Sequence, residues 1–297
     1  MSENNNDEAI RALPCWSGDV EISPLSGGIT NRNYRVSERG GRQFVVRIGR
    51  DIPEHGVLRF NELAAARAAC AVGLTPEVVY AAEGFLVSRF VQGRTLRPED
   101  VRTAGQLERI VELLRRCHQE IPRQLQGPAL MFWVFQVIRQ YLRELAARGQ
   151  HPYAVELDDL AEIARRLELA VGPVTIVFGH NDLLAANLID DGERLWLIDW
   201  DYAGFNSPLF DLANLASNNA FTPELESQLL SRYFGADFEP WIARGFAAMQ
   251  CASLLRESLW GAVSRLTSTI DFDYAGYARE YLQRFERHWQ RFQEQRG

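Results

Sequence analysis

The sequence predicts an α+β fold of two unequal lobes, a small strand-rich one followed by a larger helical one. Two observations carry this. Up to about residue 90, short runs alternate apolar and polar side chains, as half-buried strands do. After Gly93 the apolar residues recur at helical spacing in long segments. The expected units are residues 1–91 and 92–297, joined near Val91–Gly93.

Taken in order, Val20–Leu25 and Asn33–Val36 read as strands flanking a glycine turn. Arg42–Ile48 alternates, with Phe44, Val46 and Ile48 on one face and Val45 and Arg47 on the other. A helix follows, because Leu58, Glu62, Ala65, Ala69 and Val72 form one stripe and Gly73 ends it. Glu77–Ala81 and Phe85–Val91 are two further strands. Beyond them, Leu107, Ile110, Val111, Leu114, Cys117 and His118 make a 3.6-residue stripe. Helices are also expected over Leu130–Arg148 and Ala154–Val171, then from about residue 206 onward. Between them, Phe178–Phe205 reads as an irregular region with a hairpin.

Composition narrows the function. With 297 residues, 46% hydrophobic and 24% charged, the chain can bury a sizeable core. A net charge of −7 does not suit a general nucleic-acid binder. Cys15, Cys70, Cys117 and Cys251 are scattered without a C-x-x-C pair, so neither a zinc site nor a disulfide framework is signalled. A cytoplasmic protein with reduced thiols is expected. Met1–Glu8 lacks a signal-peptide pattern, and the longest apolar run, Ala129–Phe135, is too short to insert into a membrane. All 32 basic side chains are Arg, so phosphate contacts fall to Arg or to backbone amides.

The sharpest feature is Gly179-His180-Asn181-Asp182, then Asn187, then Leu197-Ile198-Asp199-Trp200-Asp201-Tyr202. Leu188–Asp190 and Arg194–Ile198 read as strands joined by a tight Asp191-Gly192 turn. Asn187 enters that hairpin and Asp199 leaves it, so their side chains should meet. An amide oxygen beside a carboxylate is a hard-oxygen pair suited to Mg²⁺, which takes its remaining ligands from water and phosphate. Asp182, on the preceding loop, can accept the proton of an attacking hydroxyl and orient it for in-line phosphoryl transfer. Loop Asp and Asn residues commonly cap helices or make turns. What carries the chemistry is the conjunction of H-x-D-x-x-x-x-N, hairpin and Ile-Asp. His180 reads as loop support.

These segments resemble the choline/ethanolamine kinase branch of the kinase-like small-molecule phosphotransferases, whose relatives include aminoglycoside phosphotransferases. His180-Asn181-Asp182 to Asn187 is similar to the family's catalytic loop, and Ile198-Asp199-Trp200-Asp201-Tyr202 to its metal loop. Phe210-Asp211-Leu212-Ala213-Asn214 is similar to F-D-[IL]-[GA]-N. Leu259-Trp260-Gly261 and Ile270–Ala278 resemble the family's W-G and I-[DE]-F-x-Y-x-x-Y-A segments. The resemblance implies a two-lobed protein-kinase-like fold and an ATP- and Mg²⁺-dependent transfer of phosphate to a small cationic amino alcohol, choline or ethanolamine. Same-fold kinases for an aminoglycoside, thiamine or a sugar are the alternatives, as is a catalytically silent nucleotide-binding regulator. A protein kinase is not expected, since no activation-loop segment follows Asp199.

For the nucleotide, Ser26-Gly27-Gly28-Ile29-Thr30-Asn31 reads alone as either a hairpin turn or a phosphate cradle. The resemblance implies the nucleotide loop, with Gly27, Gly28 and Asn31 binding. Glu62 on an otherwise apolar stripe needs a partner. Arg47 on the nearby strand can supply it, either as a surface ion pair or in the strand–helix pairing of kinases. The resemblance further implies that the strand and hinge Phe85–Gln92 take the adenine.

On the acceptor side, Tyr202, Trp260, Phe272, Tyr274 and Tyr277 are either core aromatics or the walls of an ammonium cage, and the resemblance implies the cage. Asp201, Asp211 and Asp273 could add attraction, Asp211 equally as a structural hydrogen-bond hub. Two positions depart from the family pattern. W-G-x-W becomes Trp260-Gly261-Ala262-Val263, and Asn218 stands where an acid follows the F-D segment.

Overall fold

The computed structural model describes residues 3–25, 31–149 and 156–294. A five-stranded antiparallel sheet forms the N-terminal part, in the order β1-β2-β3-β5-β4. Its strands are β1 (Val20–Leu25), β2 (Arg32–Glu38), β3 (Gln43–Ile48), β4 (Val78–Ala82) and β5 (Phe85–Arg89). The alternation in β3 works as expected. Phe44 and Val46 bury against Val36 and Val87, and Ile10 of α1 (Glu3–Arg11) completes this small core. Arg47 therefore points to the opposite face, in register between Asn33 of β2 and Leu86 of β5.

α2 (Arg59–Ala71) lies between β3 and β4 in sequence. Its small face, Ala65, Ala66, Ala68 and Ala69, is buried in the larger core of the helical part. The two cores thus do not divide where the chain passes from strands to helices: α2 belongs early in sequence and late in packing.

The helical part contains α3 (Pro98–Val101), α4 (Ala104–Glu120), α5 (Val134–Arg148), α6 (Leu157–Ala170), α7 (Pro208–Asn218), α8 (Pro223–Phe234), α9 (Pro240–Thr267) and α10 (Tyr274–Glu294). α7 and α8 start where capping chemistry dictates. Ser207 Oγ accepts from Leu209 N and Thr222 Oγ1 from Leu225 N, each with proline in the first turn. The stripe expected on α4 is buried throughout, each Leu or Ile contributing about 1.5–3 kcal/mol. α9 is the central post, packed against α5, α6, α7 and α10, and buried along most of its length. Among the described residues, no helix is long and apolar enough to cross a membrane.

Two local expectations are corrected. The helix expected from Leu130 starts at Val134. Leu130–Phe132 instead run extended against Phe205, with Phe205 N donating to Leu130 O at 2.8 Å and Phe132 N to Phe205 O at 2.9 Å. Gly204 permits that approach, since a Cβ there would lie 2.8 Å from Leu130 O. The hairpin of β8 (Leu188–Asp190) and β9 (Leu195–Leu197) closes through Asp191–Arg194, a longer turn than Asp191-Gly192 alone. Asp191 builds it by accepting from both Glu193 N and Arg194 N through Oδ1. β6 (Arg94–Thr95) extends this hairpin to three strands, and β7 (Val177–Gly179) pairs with β10 (Gly204–Asn206). Ala154 falls outside the described residues; the helix there is seen from Leu157.

Candidate active site

The hairpin brings its two ends together as the sequence requires. Leu188 pairs with Leu197, and Ile198 N donates to Asn187 O at 3.0 Å, leaving Asn187 and Asp199 side by side at its mouth. Asn187 Nδ2 donates to Asp182 O at 2.9 Å and lies 3.5 Å from Asp182 Oδ2. Asp182, Asn187 and Asp199 thus lie together.

The loop bearing Asp182 is held by buried polar contacts. Asp211 of α7 accepts from His180 N at 2.9 Å, Asn181 N at 2.8 Å and His118 Nε2 at 2.9 Å. Burial works against that carboxylate's charge, but the His118 hydrogen bond and the nearby amides keep its pKa below the ordinary range. Asp211 is therefore the hub. His118 is satisfied on both ring nitrogens, by Asp211 and by the Tyr233 hydroxyl at 2.7 Å. His180 Nε2 donates to Ile198 O at 2.9 Å, tying the catalytic loop to the strand that carries Asp199. Asn181 Nδ2 reaches the carbonyls of Gly179, Tyr202 and Gly204. Gly179 has no room for a side chain, since a Cβ would sit 2.9 Å from Asn181 Oδ1.

Asn181 and Asp199 both have left-handed backbone, φ 66° and 68°. Such strain costs of order 1–3 kcal/mol per residue and persists where surroundings over-determine it. Here it turns Asp199 toward Asn187 and aims the next residue after Asn181, the carboxylate Asp182, into the cleft.

On the opposite wall lies an ion network. Arg47 Nη1 contacts Glu62 Oε1 at 2.6 Å, Asp199 Oδ1 at 3.0 Å and Asp201 Oδ1 at 2.8 Å. Arg59, unforeseen in the sequence, contacts Glu62 Oε2 at 2.5 Å and Asp201 Oδ1 at 2.8 Å. Glu62 is only 3% exposed, which decides between the two readings of its pair with Arg47: this is not a surface bridge. Burial disfavours charge on Arg47, but Asp199, Glu62 and Asp201 together hold its pKa well above the ordinary value. Asn31 Nδ2 donates to Asp201 Oδ2 at 2.9 Å. Gly27 and Gly28 lie outside the described residues.

Asp201, expected among the acceptor residues, faces Arg47, Arg59 and Asn31. The turn at Asp199 directs it there, and these partners hold its pKa low against the effect of burial.

The expected aromatics do converge. Trp260 has ring centroids of Tyr274 and Tyr277 at 5.8 and 5.4 Å, and its Nε1 donates to the Tyr202 hydroxyl at 2.9 Å. Phe272 packs on Tyr274 and Tyr277 and is the exposed member at 38%. Gly261 lets α10 close on α9, a Cβ there lying 3.0 Å from Tyr277 Cδ1. Asn218 has both amide atoms buried without a hydrogen-bond partner among the described residues.

Three residues of this region escaped the sequence reading. Arg256 lies beneath Tyr202, its guanidinium 4.5 Å from the ring, and pairs with Glu257. His55 joins Tyr141 at 3.0 Å and Ser264 at 2.9 Å, and stacks obliquely on Trp260. A charged Arg-Glu dipeptide inside the apolar run Cys251–Val263 was the available signal for the first two. Nothing in the sequence marked His55.

Chemically, Asp182 is a candidate base. Burial lifts its pKa to about 8, with the Arg256 charge opposing and Glu257, Asp199 and Asp201 adding to the rise. A carboxylate so placed is matched to taking a proton near neutrality. Asn187 and Asp199 offer an open hard-oxygen set. Among the described residues, no three His, Cys, Asp or Glu side chains could cage a metal by themselves. An open set fits Mg²⁺ that arrives with phosphate oxygens.

The sequence profile of choline/ethanolamine kinases matches residues 22–228, well over half of the chain. The chain belongs to the choline/ethanolamine kinase family. A probable choline kinase of Arabidopsis thaliana is 27% identical over 92% of this chain and 87% of its own length. Ethanolamine kinase 2 of Mus musculus is 29% identical over 91% of this chain and 77% of its own. A crystal structure of a choline/ethanolamine kinase family protein from Mesorhizobium loti superposes with a TM-score of 0.79 at 27% identity, covering 97% of this chain and 95% of that one. The kinase-like fold and small-molecule kinase class expected from the sequence therefore hold, and the family implies use of ATP.

Proposed function

We propose that this kinase transfers the γ-phosphoryl group of ATP to the hydroxyl of a small amino alcohol, with ethanolamine preferred to choline. The meeting of Asp182, Asn187 and Asp199 at the mouth of one hairpin is the observation that carries the reading. In the reaction, Asp182 receives the hydroxyl proton while the acceptor oxygen forms a bond to the γ-phosphorus. The bond from that phosphorus to the bridging oxygen breaks, and its electron pair leaves with ADP. Mg²⁺, held by Asn187 and Asp199, would neutralise phosphate charge. Arg47, fixed by Glu62, faces the phosphates, and residues 1–91 serve as the nucleotide lobe with Gly27, Gly28 and Asn31 at its loop.

The ammonium end is assigned to Trp260, Phe272, Tyr274 and Tyr277. Tyr202 offers less, since Arg256 already covers its ring. Val263 and Asn218 remove an aromatic and an acid from the family's cage. What remains is poorer in bare cation–π surface and retains a carboxylate, Glu257, hydrogen-bonded by Tyr277 at 2.8 Å. A primary ammonium can donate to such an oxygen; a trimethylammonium cannot.

The test is ADP release with Mg²⁺ across ethanolamine, choline, an aminoglycoside, thiamine and a sugar. Ethanolamine should stimulate most. Preference for one of the last three, or equal release with water alone, overturns the proposal.

A further inference from the structure

One buried charge has hydrogen-bonding groups that the chemistry described above leaves unused. Arg256 on α9 is 1% exposed. One end of its guanidinium is anchored, Nη1 pairing with Glu257 Oε1, while Glu257 Oε2 accepts from the Tyr277 hydroxyl at 2.8 Å. Its plane lies 4.5 Å over the Tyr202 ring and 5.6 Å from that of Phe132. The remaining edge, Nε and Nη2, is buried and has no hydrogen-bond partner among the described residues. Buried donors are normally satisfied, and those left open call for an explanation.

The open edge has a defined shape. Nε–H and Nη2–H are parallel and spaced to meet both oxygens of one carboxylate. Glu257 is already engaged by Nη1. Asp182 is the carboxylate next at hand: Arg256 stacks on Tyr202, and the Tyr202 carbonyl accepts at 3.0 Å from Asn181, the residue before Asp182. The two charges also act on each other, Arg256 being the leading positive charge on Asp182. Among the described residues, the Asp182 carboxylate has one loose contact, Asn187 Nδ2 at 3.5 Å.

We propose that Arg256 is a positioning residue for Asp182: with nucleotide and acceptor bound, the Asp182 carboxylate engages the open Nε/Nη2 edge and is thereby fixed toward the acceptor hydroxyl. α9 would then set the base as well as the aromatic cluster, since Arg256 and Trp260 lie one turn apart on it. Glu257 and Tyr277 keep the guanidinium in place. The inference rests on Asp182 being the base of the proposed transfer.

The experiment is a double-mutant cycle between Arg256→Met and Asp182→Asn, read with saturating ethanolamine and Mg–ATP. Arg256→Met should lower kcat about tenfold or more, with both KM values changed less than about twofold. In the Asp182→Asn background the same change should alter the residual rate by less than about twofold. Arg256→Lys, which restores charge but not the paired edge, should recover only part of the loss. Because Arg256→Met strands Glu257, Arg256→Met/Glu257→Gln is measured beside it and compared on kcat at saturating ethanolamine, since Glu257 is also assigned to the ammonium; that pair removes both charges, keeps the Tyr277 hydrogen bond and should show the same kcat loss. Losses that multiply in the two backgrounds overturn the proposal, as does a raised acceptor KM with kcat intact. A wild-type protein inert toward every amino alcohol would instead sink the functional reading, before any Arg256 variant is compared.

Discussion

The neighbours of Asp182 hold its loop and leave its own carboxylate nearly free. Its loop is pinned at His180, Asn181 and Leu183, the last donating to Asn214 Oδ1 at 2.5 Å. Asp182→Asn should therefore fold normally and lose about two to four orders of magnitude in ethanolamine-stimulated ADP release; wild-type rates would exclude it as base. Asp211→Asn is expected to fail differently. It removes charge from three acceptor contacts worth about 1.5–3 kcal/mol each, so both the unfolding midpoint and kcat should fall. An unchanged midpoint in urea would contradict the hub. At this scale the sequence revealed what the chain spacing fixes. Asp182, Asn187 and Asp199 were legible because a hairpin must return to its start. That Asp201 joins Arg47 and Arg59 was not legible, because nothing in Ile-Asp-Trp-Asp-Tyr betrays the left-handed turn at Asp199. Arg256 was passed over although the Arg-Glu pair in an apolar run was there to see, because the rings it lies against, Tyr202 and Phe132, come from elsewhere in the chain.

Among the elements, the 3-10 turn Pro53–His55 is the least expected contributor. It follows β3 yet places His55 between Tyr141 of α5 and Ser264 of α9. Burial, with the Arg256 charge adding, drives the His55 pKa down to about 3. An unfolded His titrates near 6.5. Between those values the unfolded chain binds a proton that the folded one refuses. Stability therefore falls as pH drops from about 6.5 toward 3, by up to ~1.4 kcal/mol per unit from this group. His55→Gln, able to bond both partners, should flatten the dependence of melting temperature on pH between about 6.5 and 4. An unaltered slope would assign the acid lability elsewhere. The regular elements were readable because burial follows their periods: β3 alternates and α4 repeats at 3.6. Leu130–Phe132 was not, since its extended form depends on a distant partner, Phe205, and on the bare backbone of Gly204.

For the molecule as a whole, the ion network links the sheet to the segment after the Asn187–Asp199 hairpin. Arg47 of β3 and Arg59 and Glu62 of α2 meet Asp199 and Asp201 across it. Breaking one member of such a buried set costs about 3–5 kcal/mol. Arg47→Met should lower the melting temperature of the free protein. It should also shrink the rise that Mg–ATP gives the wild type, about 2.7 kcal/mol at a hundredfold excess over Kd. A full nucleotide-induced rise in that variant would remove Arg47 from the phosphate site. The small, Ala-rich face of α2 made this arrangement hard to foresee, because a weakly amphipathic helix does not announce which core it joins. Arg47 has a chemical consequence as well. Acyl-phosphate derivatives of ATP tag kinases by acylating the amine of a strand lysine, and a guanidinium stays protonated and unreactive toward them. With arginine on β3 and no lysine anywhere in the sequence, this enzyme would pass unlabelled through a profiling experiment that captures its lysine-bearing counterparts.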